Sequence, residues 1–158
     1  MTHQNNHSLT IRRYEDKDIN AVISAWENAS LLAHPFLSPA FMEEERGNIR
    51  DVYMPVAETW VAEYEGKVIG YIALLGDEVG AIFVQPAYQG KGVGRALMNK
   101  ARALRGDLWL EVFEENEIGR RFYDRYGFEY ESERMHEESG HKLLRLKYTT
   151  GRKETGSA

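Results

Sequence analysis

The pattern of hydrophobic and polar positions in the first third of the chain predicts one strand and two helices. A weak alternation over residues 9–14 is typical of a short strand. Asp16 can cap the helix that follows, whose apolar stripe consists of Ile19, Val22, Ile23 and Trp26. Ser38 and Pro39 predict the beginning of a second helix, which Pro55 ends. Its apolar positions are Phe41, Met42, Ile49, Val52 and Tyr53.

The rest of the chain predicts six more strands and two more helices. The first three of these strands follow one another through tight turns, which favours an antiparallel meander. The fourth is apolar apart from Glu111, as is typical of a strand buried inside a sheet. A glycine-rich loop leads into one helix, and the other ends at Gly127, a favourable residue directly after a helix. The inward positions of the first are Val93, Leu97, Ala101 and Leu104. The predicted strands are 59–64, 68–75, 78–84, 107–113, 128–135 and 142–148, and the helical segments are 90–105 and 116–126.

The length of the chain and the absence of an internal linker indicate one mixed α/β domain over residues 1–158. A chain of 158 residues is within the usual size of a single domain and can bury about two-thirds of its unfolded surface. The ordered core is expected over about residues 9–148. Residues 1–7 are polar and residues 149–158 lack an apolar anchor, so both ends are expected to be loose.

Composition argues against several classes of function. The chain has no cysteine, which excludes disulfides, thiolate metal sites and a cysteine nucleophile. Twenty basic and 25 acidic residues argue against a nucleic-acid partner and suit an amine substrate. The longest apolar run, residues 71–75, is far shorter than the ~20 residues of a membrane span, and the first eight residues lack the pattern of a signal peptide. His136 and His141 have no metal-ligand spacing with carboxylates. We therefore expect a cytoplasmic protein without a metal, a membrane partner or a nucleic-acid partner.

Residues 89–95 are the most informative stretch of the sequence. They read Gln-Gly-Lys-Gly-Val-Gly-Arg and join a predicted strand to a predicted helix. Unpaired N–H groups at the helix start, glycines without a β-carbon and the charges of Lys91 and Arg95 together suit a pyrophosphate. The glycines alone also fit an ordinary turn that packs a helix on a sheet. Their spacing departs from the Rossmann and P-loop patterns, which disfavours another type of nucleotide-binding domain.

Two motifs in this region resemble those of the GNAT superfamily of N-acetyltransferases. Residues 89–94 match the signature Q/R-x-x-G-x-G/A, and Val84 and Pro86 resemble the family's approach to the loop. Residues 116–128, which read NEIGRRFYDRYGF, resemble the second motif N-x-x-[AG]-x-x-F-Y-x-x-x-G-F. The resemblance covers roughly residues 9–148. Residues 33–37 further resemble a bacterial branch of small acetyltransferases, some of which modify protein lysines.

The resemblance implies a fold and a co-substrate. The expected fold is a mixed, mostly antiparallel central sheet of about seven strands, splayed in the middle, with about four helices. The co-substrate is acetyl-CoA, whose pantetheine arm would lie in the splayed opening, with the N–H of Val84 facing the thioester carbonyl and Tyr123 beside the sulfur. The expected cofactor-binding residues are Phe83, Val84, Gln89, Gly90, Lys91, Gly92, Val93, Gly94, Arg95, Asn116 and Tyr123.

Some of these residues also fit purely structural roles. Asn116 is a suitable helix N-cap. Phe122, Tyr126 and Phe128 fit core positions better than site positions, and Tyr123 could be a half-buried packing residue. A non-catalytic acyl-CoA-binding module is the alternative to an enzyme, and such a module would not need Tyr123.

The acceptor is expected to be a primary amine, on a small molecule or on a protein lysine or N-terminus. The loop with His34 and Phe36 lies outside both cofactor motifs and is the candidate acceptor site, although a core Phe36 and a surface His34 fit as well. The acceptor itself, the preferred acyl chain and the oligomeric state are left open by the sequence.

The expected chemistry is direct attack of the amine in a ternary complex, because no cysteine is present to relay the acyl group. Tyr123 is the candidate general acid. Glu78 is the candidate base, since it matches, counted back from Gln89, the strand carboxylate of the histone-acetyltransferase branch. The rivals for this role are Glu111 and Glu63.

Overall fold

The computed structural model describes residues 8–150, which form seven strands and four α-helices. The strands are β1 (Leu9–Arg13), β2 (Glu58–Tyr64), β3 (Lys67–Leu75), β4 (Glu78–Val84), β5 (Leu108–Phe113), β6 (Glu129–His136) and β7 (His141–Tyr148). The helices are α1 (Ile19–Ala33), α2 (Pro39–Asn48), α3 (Val93–Arg105) and α4 (Glu117–Tyr126). The predicted order of elements is confirmed, and strand ends differ from the prediction by single residues.

The strands form one sheet in the order β1-β2-β3-β4-β5-β7-β6. Neighbours are antiparallel except β4 and β5, which are parallel and share a single registered pair, Glu78 with Trp109. Parallel neighbours that stay together exchange evenly spaced hydrogen bonds along their length. Because β4 continues to Val84 and β5 to Phe113 without further pairing, the two strands part beyond Glu78. The predicted splay in the middle of the sheet is confirmed.

Helices cover both faces of the sheet. One core cluster joins α1 to β2 and β3 through Val22, Ile23, Ala25, Trp26, Val61, Tyr71 and Ala73. The other joins α3 to the opposite face through Ile72, Leu74, Leu97, Met98, Ala101 and Leu110. Successive residues of β3 therefore alternate between the two helices, as the pleat of a strand requires. The two layers leave the gap between β4 and β5 as the place where a ligand can enter the sheet.

The second helix differs from its prediction. Ser38 caps α2 as expected, because its hydroxyl accepts the N–H of Phe41 at 3.1 Å. After Asn48 the chain continues as a π-helical turn, Ile49–Tyr53, in which the N–H of Met54 donates to Ile49. Ile49 is buried, but Val52 is 52% and Tyr53 37% exposed. The wider π turn rotates these two positions away from the apolar stripe in which they were predicted.

Two smaller predictions are also wrong. Leu104 keeps the angular position of an inward residue on α3, but it stands in the last turn of the helix and is 39% exposed. Thr150 was predicted in a loose tail, yet its N–H and hydroxyl both donate to Asp107, at 2.8 and 2.9 Å. Of the two predicted tails, residues 1–7 and 151–158 lie outside the described part of the chain.

Candidate active site

A cavity of about 760 Å³ occupies the region where β4 and β5 part. Its walls come from α1, α2, both parted strands, the glycine-rich loop and α4. Most of the predicted site residues line it, and three do not: Lys91 is exposed, Val93 is part of the core, and Phe36 packs against His34 and His141. The structure thus brings most residues of the cofactor motifs and the candidate acceptor residue His34 around one cavity.

The loop between β4 and α3 bends at two glycines in the left-handed region. Gly90 has φ 77° and Gly92 has φ 88°, values that residues with a side chain rarely adopt. Gly92 is the N-cap of α3 and has no side chain to bond the first N–H groups of the helix. The position that a β-carbon would take at either glycine has no other atom within 4 Å. Open space beside uncapped N–H groups is suited to a phosphate group.

Gly94 is required for a different reason. A β-carbon at this position would come within 3.2 Å of the Phe122 ring, so its absence lets α3 approach α4. Gln89 is also structural in part, because its Nε2 donates to the carbonyl of Val84 at 3.0 Å and ties the loop to the end of β4. Among the glycines at the start of α3, Gly90 and Gly92 are therefore the ones that leave room for a ligand.

Backbone directions at the end of β4 leave the N–H of Val84 facing the opening. The N–H of Gln85 donates to Ile69 on β3 at 2.8 Å. Successive residues of a strand point their N–H groups to opposite sides, so the N–H of Val84 points away from β3. That side is where β4 and β5 have parted. This N–H is a hydrogen-bond donor directed into the space where the sheet is open.

Tyr123 presents a phenol to the cavity from α4. Its ring packs against Phe122 and Phe128, with centroids 5.5 and 5.8 Å apart. Its hydroxyl has no hydrogen-bond partner among residues 8–150. Burial raises the pKa of Tyr123 above its usual range, which keeps the phenol protonated at neutral pH. The residue combines a fixed ring with an available proton.

Asn116 is the N-cap of α4 and also contacts His34. Its Oδ1 accepts the N–H of Gly119 at 2.8 Å, and its Nδ2 lies 3.2 Å from Nε2 of His34. The cap identifies which end of the side-chain amide faces His34: it is the nitrogen, a donor. His34 Nε2 must therefore accept, and the ring proton lies on Nδ1. The alternative N-cap role of Asn116 is thus real, and it coexists with a second contact.

His34 lies in an aromatic environment that keeps it neutral. Its ring meets Phe36, Phe83 and Phe113 edge-on, with centroid distances of 5.8, 6.3 and 5.3 Å. Burial lowers the pKa of His34 to about 4. At neutral pH the imidazole carries no charge, so it can accept the hydrogen bond from Asn116 but has little capacity to act as a base.

Two carboxylates lie at the other end of β4 from the glycine loop. Glu78 begins the strand, roughly 20 Å from Val84 along an extended chain, and has neither a hydrogen bond nor an ion pair among the described side chains. Burial, followed by the nearby charge of Glu111, raises the pKa of Glu78. Glu111 on β5 is held by Arg134, whose hydrogen bonds keep the pKa of that carboxyl below its usual range. Glu78 is thus the carboxylate of the two that is free to meet a ligand.

Several cavity residues were not singled out by the sequence. Arg134 and His136 reach the cavity from β6, and Glu45 and Tyr53 reach it from α2 and the π turn. The available signal for Arg134 and His136 was strand alternation, which places residues two apart on one face. The rival base Glu63 does not line the cavity, because it lies on β2 and pairs with Arg12 at 2.6 Å.

Within residues 8–150, no group of three or more potential ligand side chains is arranged to hold a metal ion. The helices of the same part of the chain are also too short or too polar to cross a membrane.

Comparison with known proteins decides the family. A family model described as an acetyltransferase (GNAT) domain matches residues 55–130. The chain is 30% identical over 119 residues to peptidyl-lysine N-acetyltransferase YiaC of Escherichia coli K12, covering 75% of this chain and 82% of that protein. It is 31% identical over 121 residues to peptidyl-lysine N-acetyltransferase YjaB of the same strain, covering 76% and 82%. The chain belongs to the GNAT family.

Solved structures share this GNAT fold. Apo YjaB from Escherichia coli superposes with a TM-score of 0.81 at 28% identity, covering 89% of this chain and 97% of that one. PaiA N-acetyltransferase from Thermoplasma acidophilum, solved with coenzyme A, gives a TM-score of 0.71 at 19% identity, covering 89% and 99%. At that identity the second likeness concerns the fold alone. The predicted GNAT fold is confirmed. The family and the named relatives also confirm the enzyme class: the protein is an acetyl-CoA-dependent N-acetyltransferase.

Proposed function

We propose that this GNAT enzyme acetylates the ε-amine of lysine side chains in peptides or proteins, by direct attack on bound acetyl-CoA. The charge arrangement of the cavity carries the proposal. Glu78, a carboxylate that forms no ion pair within residues 8–150, stands at one end of β4, and the uncapped start of α3 stands beyond the other. The first attracts a protonated amine and the second attracts phosphates. Two relatives named as peptidyl-lysine N-acetyltransferases support lysine as the source of the amine.

The residues proposed to hold acetyl-CoA follow the open side of the sheet. The N–H groups of residues 90–95 would bind the pyrophosphate, with Lys91 and Arg95 adding positive charge. The pantetheine arm would lie between β4 and β5, beside Phe83 and Asn116, both of which line the cavity. Tyr123 would lie beside the sulfur. In this arrangement a single domain supplies the whole site.

The proposed reaction forms a C–N bond and breaks a C–S bond. A lysine amine has a pKa near ~10.4, so it must lose a proton before it attacks the thioester carbonyl. Glu78 stands at the opposite end of β4 from Val84, so it takes this proton through a chain of water molecules, and its raised pKa makes it a stronger base than an ordinary glutamate. The N–H of Val84 stabilises the oxyanion. The sulfur leaves with the bonding electron pair and receives the proton of Tyr123. The nitrogen, positively charged after the attack, gives up its second proton to the Tyr123 phenolate through water, which yields free CoA, the neutral acetylated amide and a regenerated phenol.

The acceptor is proposed to enter along the wall formed by α1, α2 and the loop between them. His34 belongs to this wall, and Phe36 packs against its ring without lining the cavity. Apolar side chains such as Met42 and Leu37 also line it and suit the methylene stem of lysine. A non-catalytic acyl-CoA-binding module would need neither an available phenol nor a carboxylate without an ion pair in the same cavity.

The test is a turnover assay with acetyl-CoA and a set of amines, in which released CoA is measured and the product is examined by mass spectrometry. The set contains a lysine peptide with a blocked N-terminus, the same peptide with arginine in place of lysine, a lysine-free peptide with a free N-terminus, and a polyamine. We expect acetyl transfer to the lysine peptide and none to its arginine counterpart. Turnover with the polyamine alone would refute the acceptor class. Tight acetyl-CoA binding without turnover on any amine would identify a binding module.

A further inference from the structure

His34 lies where the acceptor wall meets the acyl-donor wall. It directly follows α1, and its N–H donates to the carbonyl of Ser30 at 2.7 Å. Its ring packs against Phe83 of β4 and against Phe113 at the end of β5. These two strands part around the cavity. His34, which directly follows α1, therefore contacts both sides of the opening.

The side-chain amide of Asn116 is held at both of its ends. Gly119 donates to its oxygen and His34 accepts from its nitrogen, and Asn116 is only 6% exposed. Two hydrogen bonds to opposite ends of a planar amide fix the plane as well as the position of the group. With one N–H bonded to His34, the second N–H of the same nitrogen has a defined direction. Without His34 the amide would keep only its cap and could rotate about it.

Gly119 leaves the room that the Asn116 amide occupies. A β-carbon at position 119 would lie 2.6 Å from Nδ2 and 3.0 Å from Cγ of Asn116. Such distances are not tolerated, so any larger residue at 119 must push the amide out of its present position. The sequence therefore keeps room for the Asn116 amide at the point where His34 receives its hydrogen bond.

We propose that His34 is a positioning residue for the acyl donor: it fixes the Asn116 amide so that the remaining N–H donates to an amide carbonyl of the pantetheine arm. This role is additional to its place in the acceptor wall, and it couples the two halves of the site. The inference rests on the proposed function, which places the pantetheine arm beside Asn116. The neutral state of the imidazole supports it, because a protonated ring could not accept at Nε2.

The experiment measures CoA binding by calorimetry, without any acceptor, for the wild type, His34→Ala, Asn116→Ala and the double variant. We expect each single variant to bind CoA about tenfold more weakly than the wild type. The double variant should bind CoA no more weakly than Asn116→Ala, because both substitutions remove the same interaction with CoA. His34→Gln should recover part of the affinity, since its carbonyl oxygen can accept from Asn116. Multiplicative losses in the double variant would overturn the proposal.

His141→Ala is the matched control. This histidine packs against Phe36 and Phe113 as His34 does, yet it neither lines the cavity nor contacts Asn116. His141→Ala alone should bind CoA like the wild type. Combined with Asn116→Ala, it should bind CoA like Asn116→Ala alone. Thermal unfolding establishes that each variant is folded, and if His34→Ala is not, His34→Phe, which keeps an aromatic ring but cannot accept from Asn116, replaces it.

Gly119→Ala provides a second route to the same result. It should displace the amide, weaken CoA binding to a similar extent as His34→Ala, and add nothing when the two are combined. A folded His34→Ala enzyme that binds CoA like the wild type would overturn the positioning role alone. Failure of the wild type to bind CoA would instead count against the proposed function.

Discussion

Arg134 holds both carboxylate oxygens of Glu111, with Nε 2.8 Å from Oε2 and Nη2 2.8 Å from Oε1. This ion pair distinguishes Glu111 from Glu78, two of the carboxylates that line the cavity. Its hydrogen bonds lower the pKa of Glu111, whereas burial and the charge of Glu111 raise the pKa of Glu78. Neighbouring acids whose pKa values are pushed apart are a common arrangement in acid–base catalysis. Glu78 is therefore the better candidate for the base.

Replacing Glu78 by glutamine should lower kcat/KM about 10²-fold at neutral pH, within the usual range for a general base. Glu78 must be ionised to accept a proton, and its pKa is raised. The wild-type kcat/KM should thus fall as the pH drops through a value above the ordinary range of glutamate, and this acidic limb should be absent in Glu78→Gln. Glu63→Gln, which lies outside the cavity, should keep the wild-type profile. An unaltered acidic limb in Glu78→Gln would exclude Glu78 as the general base.

Glu111→Gln should move the acidic limb of the pH–rate profile to lower pH. The negative charge of Glu111 contributes to the raised pKa of Glu78, and its removal also leaves Arg134 with a free positive charge nearby. Both changes favour the ionised form of Glu78 and so lower its pKa. The measurement is kcat/KM against pH for the lysine peptide. A limb that stays in place or moves to higher pH would contradict the assignment.

Tyr123→Phe should lower kcat about 10²-fold while leaving acetyl-CoA affinity nearly intact. The substitution keeps the ring that packs against Phe122 and Phe128 and removes only the hydroxyl. Tyr126→Phe is the matched control on the same helix. Its hydroxyl donates to Asn99 at 2.6 Å and does not line the cavity, so its loss should leave kcat unchanged. Wild-type kcat in Tyr123→Phe, with chemistry shown to be rate-limiting, would exclude it as the general acid.

Much of the fold could be predicted because its signals are local. Turn residues separate the three strands of the meander, and the cap residues Ser38 and Gly127 stand where α2 begins and α4 ends. The π turn after Asn48 could not be predicted, since its i to i+5 bonding leaves no distinct pattern in an apolar stripe. For the same reason the exposure of Val52 was missed.

The site was predictable in its motifs and not in its side-chain contacts. Residues 89–95 and Asn116 were identified from contiguous patterns. The contact of His34 with Asn116 joins residues 82 apart in sequence, and that of Arg134 with Glu111 joins residues 23 apart. Such pairs depend on strand order and on how two helices meet, which no local spacing encodes. Gly94 shows the same limit, because a glycine is required there by the Phe122 ring, which lies on another helix.

Ser30→Ala should stabilise the protein. The hydroxyl of Ser30 is buried and has no hydrogen-bond partner among the described residues, and alanine is also the better helix former on α1. Removing an unsatisfied buried hydroxyl should raise the free energy of unfolding by about 1 kcal/mol, as measured by urea denaturation. Ser24→Ala is the control on the same helix. Its hydroxyl accepts from Gln85 at 3.0 Å, so this change should bring no such gain. A loss of stability in Ser30→Ala would show that the hydroxyl is bonded.

Gly92→Val should abolish CoA binding beyond what its loss of stability explains. Gly92 has φ 88° with open space around it, so valine there is strained and places a branched side chain beside the uncapped N–H groups of α3. Gly66→Val is the matched control, because Gly66 has φ 78° and equally open surroundings in the turn between β2 and β3. Both variants should lose about 1–2 kcal/mol of stability from the left-handed backbone. Calorimetry should then show CoA binding in folded Gly66→Val and none in folded Gly92→Val. Equal affinities in the two variants would place the pyrophosphate away from this loop.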